Sequence, residues 1–131
     1  MSQENPGIID VRSHRSVPQT IDRLESLATA HGLTIFGKID FGGDAARAGL
    51  VMRPMQMLIF GNPRAGTPLL AAVPRIGLDL PLKALAWADE HDDVWLSCNS
   101  PDYLEARHHL PHELVANISG VVALIRKAVE Q

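Results

Sequence analysis

The chain predicts an α+β domain: a five-stranded, mostly antiparallel sheet with two long helices on one face. Three observations carry this. Strand-like runs, alternating or continuously apolar, recur five times between turn residues. Two longer stretches instead repeat apolar residues every three or four positions, the spacing of helices that bury one side. Finally, "DLPLKALAWADE" and "DVWLSCN" flank a charged turn at His91 and Asp92, the pattern of an antiparallel hairpin. Sheet and helices on one core make an α+β sandwich.

Residues 1–7 are polar, carry Pro6 and Gly7, and read as a loose tail before one domain over 8–131. "IIDVRSH" is the first strand. "SVPQTIDRLESLATAHG" is the first long helix: Ser16 caps it, Pro18 sits in its first turn, and Gly32 stops it. Its stripe is Ile21, Leu24, Leu27 and Ala28. In the strand "LTIFGKIDF", simple alternation puts Leu33, Ile35, Gly37 and Ile39 on one side. "GGDAARAGL" is a turn and short helix that Asp44 can cap, and "QMLIFG" is a buried strand. Thr67 and Pro68 then form a cap–proline pair for a short helix ended by Pro74 and Gly77. In the hairpin, Lys83, Leu85 and Trp87 share one side of their strand, and Trp95 and Ser97 one side of the next. Alternation shows which residues go together, not which face is inside. Ser100 and Pro101 open another short helix. "HELVANISGVVALIRKAV" closes the chain with a stripe of Leu114, Ile118, Val121 or Val122, Ile125 and Val129; Gly120 inside it suggests close packing.

The bulk properties exclude several classes. At 131 residues with 46% apolar content, the chain suits one soluble core. A net charge of -3 argues against nucleic acid as a partner, since phosphate binding needs surplus Lys and Arg. No apolar run reaches the length that spans a membrane, and the N-terminus lacks a signal-peptide pattern. With Cys98 as the single cysteine no internal disulfide forms, so a cytoplasmic setting is expected. Cys98 alternates with Val94 and Leu96 and reads as a small buried hydrophobe.

The segment "FGNPRAGTPLL" is the candidate site. Gly61 and Gly66 let the backbone approach a ligand, and Asn62 can donate or accept. The helix start at Thr67 offers N–H groups to an anion, and Arg64 adds a fork of donors. The plain alternative is a turn and a capped helix, because these are turn residues in any case. No Gly-Lys-Ser/Thr follows, so it is not a Walker A loop.

"IFGNPRAGTPLLAAVPRIGLDLPLKALAW" resembles the signature of domain-of-unknown-function family 302, and the likeness covers nearly the whole chain. That resemblance implies a TBP-like β-α-β4-α fold and a homodimer, with no reaction attached. Asn62, Pro63, Gly66, Thr67 and Pro68 match its first motif, with Arg64 where Lys is usual; Asp79, Leu80, Pro81, Leu82 and Lys83 match its second. His108 falls where relatives often carry His. Phe41 stands where relatives often have His, which weakens an enzymatic reading for this chain.

The ligand-binding set expected from these motifs is Asn62, Arg64, Gly66, Thr67, Asp79, Lys83 and His108. Lys83 and Asp79 have plain roles too, as a solvated strand lysine and a turn acceptor. "RHHLPH" gathers His108, His109 and His112, but Pro111 interrupts it and Ala116 replaces the second His of a His-Glu-x-x-His motif, so no metal site is expected. The leading function is binding of a small anionic molecule, with the cofactor unknown. An enzyme in the same cleft would draw its acid or base from Asp40, Asp79, Lys83 or His108. A third reading is a homodimeric interaction module built on the open sheet face.

Overall fold

The computed structural model describes residues 6–130. Strands β1 (Ile8–Ser13), β2 (Thr34–Asp40), β3 (Met55–Gly61), β4 (Leu82–Ala88) and β5 (Val94–Asn99) form one sheet. Its order is β1-β5-β4-β3-β2, with every neighbouring pair antiparallel. Helices α1 (Val17–Ala30), α2 (Phe41–Arg47), α3 (Pro63–Ala72), α4 (Pro101–His108) and α5 (His112–Ala128) complete it, with a 3-10 turn at Pro74–Leu78.

The expected α+β architecture is present, with α1 and α5 together on one sheet face. Large and small side chains oppose each other across that face: Leu58 pairs with Ala84, and Leu96 with Ala86. The alanine row on β4 leaves space for helix side chains. Ile21, Leu24, Phe60 and Ile125 fill it completely buried. Leu69, Ile76, Leu104, Leu110, Val115 and Ile118 form a second core, where α3, the 3-10 turn and α4 meet α5. The tryptophan side of the hairpin is therefore the face turned away from α1 and α5. There Trp87 and Trp95 stack with ring centroids 6.4 Å apart. Trp87 Nε1 donates to Ser97 at 2.8 Å, and Trp95 Nε1 donates to Asp89 at 2.9 Å. That hydrogen bond holds the Asp89 carboxyl below the usual carboxylate range.

Local signals placed both ends of α1 and the start of α4. Ser16 and Gln19 exchange both bonds of a capping box, and Ser100 caps α4. Gly32 takes φ +76 just past α1, a conformation that favours glycine. Three local expectations change. The α2 cap is Asp40 rather than Asp44: its carboxylate accepts from Gly43 N–H, and a side chain on Gly43 would collide with it at 2.6 Å. In β2 the register shifts between Ile35 and Gly37, making Phe36 an extra residue. Gly37 and Ile39 thus leave the side of Ile35. Lys38 now reaches α1, where Glu25 at 2.8 Å holds its ammonium above the usual lysine range. Gly120 marks no close packing either, since a Cβ there would meet nothing within 4 Å.

Residues 1–5 of the expected tail lie outside the described residues. Gly7 is buried, its carbonyl accepting from Ser100 N–H.

Candidate functional site

The motif "NPRAGTP" is neither a loop nor a helix start at Thr67. It is the first half of α3, which begins at Pro63. Two cap–proline pairs compete here, Asn62-Pro63 and Thr67-Pro68, and the earlier one prevails. The Asn62 side chain accepts from Arg64 N–H at 3.0 Å, and its carbonyl accepts from Gly66 N–H at 2.8 Å. Pro68 then falls inside the helix, where its missing N–H leaves the carbonyl of Arg64 without an intrahelical donor. The longer helix seats Leu69 fully buried in the second core. Asn117 on α5 secures it by donating to the Ala65 carbonyl at 3.0 Å.

Between α3, α5 and the ends of β3 and β4 lies a cleft of about 340 Å³. Its walls are mostly apolar, including Leu70, Leu80, Pro81, Leu82 and Ile118. The bulge in β2 brings Phe36 to the opening. A Cβ on Gly61 would lie 3.6 Å from the Phe36 ring and 3.8 Å from Pro81, so glycine keeps this floor low. Asn62, Thr67 and Asn117 supply the polar side chains of the lining. No ionisable side chain belongs to it among the described residues. A second hollow of about 370 Å³ continues along α5, sharing Asn62, Leu82, Asn117 and Ile118 and reaching His31 and Lys127. Gly120 opens onto it.

The seven expected site residues do not form one site. Asn62, Gly66 and Thr67 line the cleft. Arg64 is exposed on α3 outside the lining. Asp79, Lys83 and His108 gather elsewhere. Asp79 follows the 3-10 turn, and its carboxylate accepts from His108 Nε2 at 2.6 Å and from Arg107 Nη1 at 2.9 Å. Lys83 Nζ donates to the Asp79 and Pro81 carbonyls at 3.4 and 3.1 Å. The motif residues are thus close in sequence, yet the chain turns Asp79 and Lys83 toward α4 instead of α3. Sequence reading missed Phe36 and Asn117. Gly37 inside a strand was the available signal for the bulge; Asn117, on a helix, had none.

Asp40 is committed as a helix cap, and Phe41 begins α2 away from both cavities. Cys98 is buried, and desolvation pushes its thiol up to about 11, which makes it a poor nucleophile. Among the described residues no group of three or more His, Cys, Asp or Glu is placed to hold a metal ion, and no helix is long and apolar enough to cross a membrane.

A family model described as domain of unknown function DUF302 matches residues 9–131. A crystal structure of an uncharacterized conserved protein DUF302 from Bacillus stearothermophilus superposes with a TM-score of 0.82. It covers 96% of this chain and 100% of the other at 20% identity, a likeness of fold alone. Two relatives are called fluoride-specific ion channel FluC 1, from Brucella suis biovar 1 (strain 1330) and Brucella abortus biovar 1 (strain 9-941). Each is 44% identical over 104 residues, 79% of this chain. The match covers only 41% and 38% of those proteins, so the chain spans about two fifths of the curated relatives it matches.

Proposed function

The chain belongs to the DUF302 family of domains of unknown function, and from that premise we propose that it is a binding domain for a small, largely apolar molecule held between α3 and α5. The cleft itself carries this reading: a concave apolar surface with a few convergent polar groups is the usual form of a small-molecule site. The apolar walls would take the ligand's carbon skeleton, and the Asn62, Thr67 and Asn117 side chains would orient one hydrogen-bonding end. Binding is favoured over acid–base catalysis because the candidate acids and bases are committed elsewhere, Asp40 to its cap and Asp79, Lys83 and His108 to one another. The anionic ligand expected from the motif has less support, since Arg64 stands outside the lining. In the relatives named as channels, a segment like this chain is the smaller part of a longer protein. That arrangement suits a domain that binds a ligand and influences what it is joined to.

The test is a titration with indole, a neutral aromatic probe, followed by ¹H–¹⁵N spectra. The side-chain amides of Asn62 and Asn117 and the Gly66 amide are expected to shift together and saturate. Gly66 lines the cleft and a Cβ there meets nothing within 4 Å, so Gly66→Val should fold and occupy ligand space. It is expected to weaken indole at least tenfold, about 1.4 kcal/mol, whereas Arg64→Ala stays within twofold. Indole that moves none of these amides, or that binds Gly66→Val equally well, refutes the proposal.

A second reading, a homodimer across the open sheet face, draws on the half-buried stripe of Met57, Leu85, Trp87 and Trp95 that neither α1 nor α5 covers. Sedimentation equilibrium is expected to give a dimer that Trp87→Ser shifts toward monomer; a wild-type monomer at all concentrations rejects it.

A further inference from the structure

We infer that the cavity between the 3-10 turn and the C-terminal end of α4 is a second site, separate from the apolar cleft, for a small carboxylate or phosphate. The cavity holds about 190 Å³ and is lined by Val73, Arg75, Leu78, Arg107, His108 and His109. That volume is roughly six waters' share of liquid, enough for a small oxyanion. Four of its six lining residues bear a guanidinium or an imidazole, and none bears a carboxylate.

Asp79 is the neighbouring acid, and it is directed at its own partners. Its carboxylate takes His108 Nε2 at 2.6 Å and Arg107 Nη1 at 3.2 and 2.9 Å. With Nε2 engaged, the His108 ring is fixed and its side chain is only 6% exposed. Its remaining nitrogen, Nδ1, has no protein hydrogen bond among the described residues; in the neutral ring it accepts from a protonated ligand oxygen, and in the protonated ring it donates. Arg107 commits one nitrogen of its guanidinium to Asp79, which leaves further donors. The Arg75 guanidinium makes no hydrogen bond or ion pair among the described residues. His109 takes φ 53, a left-handed turn that ends α4 and brings two consecutive histidines to the same cavity.

The charge balance favours an anion. Arg75 and Arg107 against Asp79 leave about one positive charge. The carbonyl end of α4 opposes this with roughly half a negative charge in a full-length helix, and less in a short one. The guanidinium groups therefore win, and their fork geometry suits carboxylate and phosphate oxygens. Val73 and Leu78 add an apolar side that can take a short carbon chain.

The test titrates inorganic phosphate and butyrate separately, each against chloride at equal ionic strength, following the ¹H–¹³C imidazole peaks of His108 and His109. At least one of the two anions is expected to shift both histidines saturably, and which one does so identifies the ligand class. Arg75→Gln removes no side-chain hydrogen bond or ion pair among the described residues and is expected to weaken that binding at least tenfold. Gly66→Val, which blocks the other cleft, should leave it unchanged. The inference is overturned if neither anion saturates beyond chloride, or if Arg75→Gln binds within twofold of wild type. Indole and the anions report on different residues, so failure at one site is read independently of the other.

Discussion

Phe60→Ala is expected to lower the free energy of unfolding by about 3–5 kcal/mol. Phe60 is fully buried at the centre of the main core. It lies on β3 opposite Ile35 on one side and Leu82 on the other. Truncation removes the transfer free energy of the ring and leaves a cavity that two flanking strands prevent from collapsing. A domain of this size has about 5–15 kcal/mol in total, so the loss is a large share. Urea unfolding should show a lower midpoint with an unchanged slope, because the same surface is still exposed on unfolding. Val51→Ser is the matched control. Val51 is 99% exposed and its change should stay within about 0.5 kcal/mol. A Phe60→Ala loss below about 1.5 kcal/mol would mean that β3 is not packed beneath α1.

What could be read from the sequence follows the range of the interaction involved. The caps at Ser16 and Ser100 and the stop at Gly32 depend on neighbours within one turn, so residue type alone placed them. The grouping of Trp87 with Leu85 needed only strand alternation, but the side it faces depended on where the helices pack. The start of α3 was misread because Asn62-Pro63 and Thr67-Pro68 are equivalent local signals. The tie is broken by tertiary contacts, Leu69 in the second core and Asn117 on the Ala65 carbonyl. The split of the candidate site has the same origin. Asp79 and His108 are 29 positions apart, and their meeting rests on how the 3-10 turn and α4 pack against α5. Arg107 and His109 lie in the "RHHLPH" run, which was weighed only as a metal motif, and Arg75 carried no motif, so their convergence was visible only in three dimensions.

Asp79→Ala is expected to destabilise the fold by about 2–3 kcal/mol, most of it through His108. The two partners of Asp79 differ in worth. Arg107 is 45% exposed, so solvent and salt screen its pair, and such pairs contribute about 0–1 kcal/mol. His108 is almost enclosed, and without Asp79 its Nε2 loses its only hydrogen-bond partner among the described residues. An unsatisfied buried donor costs about 1–3 kcal/mol. Arg107→Ala should therefore cost less than about 1 kcal/mol. A double-mutant cycle over Asp79→Ala and His108→Ala should give a coupling of about 1.5–3 kcal/mol. A coupling below about 0.5 kcal/mol, the range of sites that do not interact, would show that the pair contributes nothing in solution. In that case nothing would fix the His108 ring, and the oxyanion site would be left with Arg75 and Arg107 alone. A full coupling makes Asp79 the residue that orients His108, even as its own negative charge opposes an anion in the neighbouring cavity.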